Sequence, residues 1–252
     1  MNVVAVIPAR FASTRFPGKP LAVILERPMI AWVIEAARRA SRVSRVLCAT
    51  DDEGIAAAAQ AAGAEVRRTR SDHATGTDRI AEAIEDIEAD VILNLQGDEP
   101  TLSPDAVDRL AGAFDDPDVR MATLAIRGVT EIERNDPDVA KIVVDRHGNA
   151  LYFSRAAIPF RRARAGLGNE RSGPAWKHVG TYGFRRAALL EFARAPRGDL
   201  EAAEDLEQLR ALALGWKIRV VEVLDEPVHV DRPEDVNRAE AALRARREGV
   251  AR

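Results

Sequence analysis

The sequence predicts an α/β fold: a mostly parallel sheet with helices on both faces and an inserted β-hairpin. Three observations carry that expectation. Short apolar runs alternate with helix-period segments from Asn2 to Ile126, the β-α-β-α order of a sheet built with crossover helices. Hydrophobic residues make up 46% of the 252 residues, enough for the core of one large domain spanning 1–252, with the insertion at about 138–160. Polar loops follow the apolar runs, at the carboxyl ends of strands where open α/β sheets bind ligands.

Asn2–Pro8 reads as a buried strand, and Met29–Ala40 as a helix with Ile30, Val33, Ile34 and Ala37 on one face and Trp32 in the core. Arg45–Thr50 is a second strand. Asp51 or Asp52 suits the cap of the alanine-rich helix after it, and Gly63 its end. Ala64–Arg67 is a short strand, and Thr77 or Asp78 suits the cap of a helix reaching about Glu88. Val91–Leu95 is a strong strand. Ser103 caps a helix over Pro104–Phe114 with proline in its first turn, and Met121–Ile126 is again a strand.

Beyond Ile126 the pattern changes. Ala140–Asp145 and Ala150–Ser154, joined by Arg146-His147-Gly148-Asn149, read as a β-hairpin. An arm that pairs with another subunit and a simple edge hairpin fit that pattern equally. Residues 161–175 are loop-like, and Val179–Arg185 is strand-like. Glu204–Leu214 reads as one helix, Lys217–Val223 as a strand and Pro233–Arg247 as a final amphipathic helix.

The balance of charge excludes some classes of partner. Charged residues are 31% of the chain, yet the formal net charge is −3, which calls for neither nucleic acid nor a membrane surface. Cys48 is the one cysteine and sits in an apolar run, so it reads as a small buried residue in a chain without internal disulfides. With no charged leader ahead of the first strand and no bilayer-length apolar stretch, the expected location is the cytoplasm.

The chemistry concentrates in a few loops. Residues 9–20 after the first strand carry Arg10, Arg15 and Lys19, the hydroxyls of Ser13 and Thr14, and Gly18, with no acid. Cations and free backbone N–H groups there suit a polyphosphate, although the P-loop pattern is absent and a solvated basic turn explains the cations too. Gln96-Gly97-Asp98-Glu99-Pro100 follows the most apolar strand. Asp98 there suits a hard cation such as Mg²⁺ with substrate phosphates, and a turn built on Asp and Pro is the structural alternative. In His229-Val230-Asp231-Arg232-Pro233-Glu234-Asp235, the last two acids suit a helix N-terminus and Asp231 suits a cap. Asp231 becomes a metal candidate only alongside Asp98. Thr50-Asp51-Asp52 and His73-Ala74-Thr75-Gly76-Thr77-Asp78-Arg79 offer hydroxyls and amides for a base or ribose, with capping as the alternative.

Taken in order, the motifs resemble one family. Arg10…Arg15-Phe-Pro-Gly-Lys19, Ala49-Thr50-Asp51, Gly76-Thr77-Asp78-Arg79 and Asn94-Leu-Gln96-Gly97-Asp98-Glu99-Pro100 are followed by Ala150-Leu-Tyr-Phe-Ser-Arg155 and His178-Val-Gly-Thr-Tyr182. Leu206-Glu-Gln-Leu-Arg210 and Val230-Asp231-Arg-Pro-Glu-Asp235 complete the series. This is similar to the CMP-Kdo synthetase (3-deoxy-manno-octulosonate cytidylyltransferase) family over nearly the whole chain. The resemblance implies a Rossmann-like nucleotidyltransferase sheet, a homodimer, Mg²⁺ dependence, and transfer of CMP from CTP to a small anionic acceptor, Kdo, with release of pyrophosphate. It implies catalytic roles for Arg10, Lys19 and Asp98. Nucleotide contacts would come from Ala9, Arg10, Ser13, Arg15, Lys19, Thr50, Thr75, Gly76, Arg79, Gln96 and Gly97. Acceptor contacts would come from Gln96, Arg155, His178, Tyr182, Glu207 and Gln208, and metal ligation from Asp98 and Asp231. A lone histidine such as His178 is also a common structural residue.

The chain departs from the family pattern in three places. Arg232 stands where the family has threonine after the aspartate, and Phe184 replaces a tyrosine. Arg161, Arg162, Arg164 and Arg171 crowd the segment after Pro159, where they suit either a more anionic acceptor or a solvated loop. CMP transfer to another small acid such as phosphonoformate, and an inactive nucleotide-binding regulator, are the alternative functions.

Overall fold

The structure, a computed structural model, describes residues 1–12, 15–162, 171 and 173–250. Ser13, Thr14 and Arg164 lie outside the described residues. The chain divides into two compact units, Met1–Ala111 with Pro227–Arg252, and Gly112–Glu226.

In the first unit the chain runs β1 (Val3–Ala9), β2 (Val23–Ile24), β3 (Arg27–Pro28), α1 (Met29–Arg39), β4 (Arg45–Thr50), α2 (Glu53–Ala61), β5 (Glu65–Arg68), α3 (Gly76–Ala83), β6 (Val91–Asn94) and α4 (Pro104–Gly112). The sheet order is β6-β1-β4-β5 and every pairing is parallel. β1, Val46–Ala49 of β4 and Val91–Leu93 of β6 are apolar and almost wholly buried, as strands covered on both faces must be. The register sets Ala9 beside Thr50, Thr50 beside Arg68 and Val6 beside Asn94. The loops after these strands therefore open along one edge of the sheet.

Two caps settle what the sequence left open. Asp52, not Asp51, caps α2, its carboxylate accepting from Ile55 N at 2.8 Å. For α3 the expected cap is corrected from Thr77 or Asp78 to Thr75. The Thr75 hydroxyl accepts from Asp78 N, and the Asp78 carboxylate accepts from Thr75 N, each at 3.1 Å. This reciprocal box satisfies two otherwise orphaned donors, and it moves the helix start to Gly76. The helix also ends at Ala83, short of Glu88, with turns following.

The second unit contains β7 (Met121–Ile126), α5 (Glu131–Asn135), β8 (Lys141–Val144), β9 (Ala150–Ser154), β10 (Ala175–Arg185), α6 (Arg186–Arg194), α7 (Asp199–Glu204), α8 (Leu209–Ala213) and β11 (Ile218–Glu222). Here the order is β11-β7-β10-β8-β9, with only β11 and β7 parallel. The predicted hairpin is present as β8 and β9, closed by Asp145, whose side chain accepts from His147 N and Asn149 N at 2.8 Å each. β10 begins at Ala175 rather than Val179, because Ala175–Lys177 pair with β8. In place of the single helix expected over Glu204–Leu214, α7 ends at Glu204 and α8 starts only at Leu209. Asp205 at φ 50° ends α7. A buried ion pair, Arg210 Nε–Glu201 Oε2 at 2.8 Å and Nη2–Oε1 at 2.5 Å, then ties α8 back to α7.

The chain returns to the first unit for α9 (Asp235–Val250). Val230, Ala239 and Leu243 complete an apolar cluster with Ile24, Met29 and Trp32, and Phe16 packs on it. Trp32 Nε1 donates to Ile24 O at 3.0 Å, so its polar edge is satisfied inside the core. Fully burying an apolar side chain such as Val230 or Met29 contributes about 1.5–3 kcal/mol, against about 0–1 kcal/mol for an exposed ion pair. Packing, rather than surface charge, therefore fixes segments 16–29 and 228–243. Among the described residues no helix is long and apolar enough to cross a membrane.

Candidate active site

The first unit holds a cavity of about 900 Å³ at the carboxyl edge of its sheet. The end of β1 supplies Ala9 to its wall, and the loop after it Arg10, Arg15 and Lys19. Gly18 shapes that loop: its backbone is left-handed at φ 69°, its N–H donates to Phe11 O at 2.9 Å, and a Cβ there would lie 3.1 Å from the Phe11 ring. Only glycine adopts this conformation at low cost, and it delivers Lys19 to the start of a single 3₁₀ turn, Lys19–Leu21. The entry to α3 contributes Thr75, Gly76 and Arg79, and the turn after β6 contributes Gln96, Gly97 and Asp98.

Lys19 is the hub. Its ammonium is 2.6 Å from Asp98 Oδ2 and 3.2 Å from Asp231 Oδ1, and Arg15 also pairs with Asp231. Val230 N donates to Asp98 O at 2.9 Å, so the two acidic segments are joined through backbone. The expectation that Asp231 caps the final helix is corrected: its carboxylate faces Lys19 and Arg15. Asp235 holds the turn instead, accepting from Asp231 N at 3.0 Å and Arg232 N at 2.9 Å. Burial opposes the charge on Asp235, but those two N–H groups and nearby Arg238 hold its carboxyl below the usual range.

Two of the predicted nucleotide residues are held by bonds within the protein. Thr50 is fully buried, and its hydroxyl accepts from Asp52 N at 3.2 Å. Arg79 is 3% exposed, donates to Thr69 Oγ1 at 2.5 Å and pairs with Asp51 at 3.0 Å. Cys48 is buried among apolar neighbours, which push its thiol up to about 12. The cavity wall also includes Phe11, His73 and His229, which the sequence did not mark as site residues. His229 had one readable signal. Val230 is fully buried in the apolar cluster, and its two neighbours, 229 and 231, both point at Asp98 or its partners.

Asp98, Asp231 and His229 are the group among the described residues that offers a cation a ready set of donors, one atom from each lying within 4.8 Å of the others. Asp98 Oδ1 is buried and accepts no hydrogen bond. An ionised oxygen left unpaired in a buried position is costly, and a bound cation would satisfy it. Two carboxylates on the wall of this cavity fit a divalent ion.

Of the predicted acceptor residues, Gln96 belongs to the first unit and the rest to the second. Tyr182 Oη donates to Gln208 Oε1 at 2.9 Å, while Gln208 Nε2 is buried without a partner. His178 Nε2 meets Thr123 Oγ1 at 3.0 Å, and its ring lies 5.2 Å from Phe153 and 5.4 Å from Tyr182. The residue is partly exposed with its ring packed on Phe153 and Tyr182, and burial lowers its pKa to about 3, so it is neutral at pH 7. Arg155 donates to the carbonyls of Glu204 and Pro137 at 2.9 and 3.0 Å, and its own N–H meets the Glu204 carboxylate at 2.9 Å. Glu207 stands in the turn between α7 and α8. Arg171 is clasped by Glu133 at 2.7 and 2.9 Å and by Glu226, with Lys177 completing the cluster.

The cytidylyltransferase family model matches residues 4–218. A Pelobacter propionicus protein named 3-deoxy-manno-octulosonate cytidylyltransferase is 50% identical over 251 residues, covering 97% of this chain and 98% of its own length. A relative of the same name from Anaeromyxobacter sp. is 51% identical over 246 residues, covering 97% of this chain and 98% of its own. Among solved structures, CMP:2-keto-3-deoxy-manno-octonic acid synthetase complexed with CTP superposes with a TM-score of 0.91 at 40% identity, covering 98% of this chain and all of that one. A 4-diphosphocytidyl-2C-methyl-D-erythritol synthase from Anaerococcus prevotii, at 12% identity and a TM-score of 0.63, shares the fold.

Proposed function

The chain belongs to the cytidylyltransferase family, and from that premise we propose that it transfers CMP from CTP to 3-deoxy-manno-octulosonate with release of pyrophosphate. The observation that carries the reading is the meeting of Lys19 with Asp98 and Asp231, three segments distant in sequence, on the wall of a nucleotide-sized cavity. The names of the relatives at about half identity favour the Kdo acceptor over phosphonoformate.

The chemistry asks the protein for position and charge. An acceptor hydroxyl oxygen bonds to the α-phosphorus of CTP and releases its proton to solvent, and the bond to the β-phosphate oxygen breaks, leaving its electron pair on pyrophosphate. Negative charge grows on the leaving group, so fixed cations next to it lower the barrier. Arg10, Arg15 and Lys19 supply those cations from one loop. Asp98 and Asp231 are the residues to hold Mg²⁺, which when bound supplies charge neutralisation on the phosphates. Thr75 and Gly76, at the capped start of α3, line the cavity and are assigned to the nucleoside. Tyr182, His178 and Gln208 serve the acceptor: neutral His178 and the Gln208 Nε2 group are hydrogen-bonding groups, not charges. Arg155 braces Glu204 and the segment around it, and a homodimer through the β8–β9 hairpin, with Leu151 60% exposed on it, completes the reading.

Pyrophosphate release from CTP and Mg²⁺ with Kdo, phosphonoformate or sialic acid as acceptor tests the proposal. Turnover selective for Kdo is expected. Turnover with phosphonoformate alone would move the acceptor, and none with any acid would leave a nucleotide-binding protein. Sedimentation of Leu151→Asp against the unsubstituted chain tests the dimer.

A further inference from the structure

His229 is a feature that phosphate chemistry does not require. Its Nδ1 lies 3.6 Å from Asp98 Oδ1, the buried carboxylate oxygen that accepts no hydrogen bond, and its Nε2 lies 3.9 Å from Asp231 Oδ1. Neither separation is a hydrogen bond. Both leave room for an ion bonded to the imidazole and the carboxylates together. The backbone fixes this placement: Val230 is locked in the apolar cluster, and its N–H is bonded to Asp98 O. Residues 229 and 231 are thereby presented to the same point. The His229 side chain is 52% exposed, so a small rotation of the ring costs little packing.

We propose that His229 is a third protein ligand of the divalent ion, and that it sets the metal preference of this site. Two carboxylates and phosphate oxygens form an all-oxygen set suited to Mg²⁺, which is hard and dehydrates reluctantly. Replacing one water by an imidazole nitrogen favours Mn²⁺, Co²⁺ and Zn²⁺ over Mg²⁺. The inference rests on the reading that Asp98 and Asp231 hold the ion. It adds that this chain, through one imidazole nitrogen, discriminates among ions of equal charge.

The test uses the full chain labelled with ¹⁵N-histidine and Mn²⁺ as the probe, alone and with CTP, read by pulsed electron paramagnetic resonance. Directly bonded imidazole gives a ¹⁵N coupling that cytosine nitrogens cannot mimic. The coupling is expected in the unsubstituted chain and lost in His229→Gln. The ratio of Mn²⁺ to Mg²⁺ affinity should also fall roughly tenfold or more in the variant. Thermal melting without metal checks that the variant is folded. If Mn²⁺ binds, Asp98→Asn abolishes that binding and no histidine coupling appears, His229 is not a ligand and the carboxylate site stands. If Mn²⁺ binding is absent with and without CTP, or survives Asp98→Asn, the carboxylate reading falls as well.

Discussion

Lys19→Met is the perturbation whose consequences diverge most. It keeps the apolar stem and removes the ammonium that lies 2.6 Å from Asp98 and 3.2 Å from Asp231. Charge-assisted hydrogen bonds are worth about 1.5–3 kcal/mol each, so two set an upper range near 3–6 kcal/mol. The carboxylates are 19% and 25% exposed, and Arg15 still pairs with Asp231, which reduces the net loss to about 2 kcal/mol after screening. At about 2–4 °C per kcal/mol for a chain of this size, melting without ligands should fall by roughly 4–8 °C. Metal binding should move the other way. An ammonium and a dication about 4 Å apart repel by about 8 kcal/mol at an effective dielectric of 20; even if the lysine swings away to escape most of that, a residual ~1.4 kcal/mol is a factor of ten. Mn²⁺ titrated without CTP should bind Lys19→Met at least tenfold more tightly. Turnover should collapse, because the triphosphate loses a cation. Calorimetric titration and a pyrophosphate assay on one preparation read both signs. Unchanged or weaker metal binding in the variant would refute the view that Lys19 occupies the cation position between the carboxylates.

Asp98→Asn and Asp231→Asn should each lower pyrophosphate release at least a hundredfold with the fold retained, and full turnover in either removes that residue from the site. His178 is pushed down to about 3 from 6.5, so the unfolded chain takes up a proton that the folded chain refuses between those values. Its contribution is complete above pH 6.5 and is lost at about 1.4 kcal/mol per unit as pH falls toward 3; denaturant unfolding at pH 7, 6 and 5 should show that slope shrink in His178→Asn. Gly18→Ala forces a side chain into a left-handed backbone against Phe11 and should cost about 1–2 kcal/mol. It should also raise KM for CTP through misplacement of Lys19; unchanged melting would show that the loop tolerates the residue.

The strands of the first unit were legible because burial on both faces leaves uninterrupted apolar runs. Arg45–Thr50 and Val91–Asn94 fall where the runs fall. Elements whose limits are set by tertiary partners were not. Nothing local in Ala175–Lys177 announces a strand, and its partner is β8, more than thirty positions away. Asp205 ends α7 through a left-handed backbone that its neighbours do not encode, and the Glu201–Arg210 pair that rewards the break joins residues on either side of it. The α3 cap is a different case. Thr75-Gly76-Thr77-Asp78 contains the spacing of a capping box, so competition between two threonines, not absence of signal, misplaced the start.

The two halves of the site differ in legibility for an electrostatic reason. A loop with Arg10, Arg15 and Lys19 and no acid is visible because its charges have no local partner. Their partners, Asp98 and Asp231, each sit where a turn or a cap also explains an aspartate, so neither stands out alone. The fold brings them together through Val230, a residue with no polar atom in its side chain. Once together, Lys19 and Arg15 pair with the two acids, and that same pairing sets the terms on which ligands enter. A triphosphate that draws Lys19 and Arg15 away strips the carboxylates of their counter-ions, and a dication that takes the carboxylates strips the cations of theirs. Arriving together, each ligand supplies the counter-charge that the other removes, so the ion pairs at Lys19 are exchanged without leaving either wall of the cavity uncompensated.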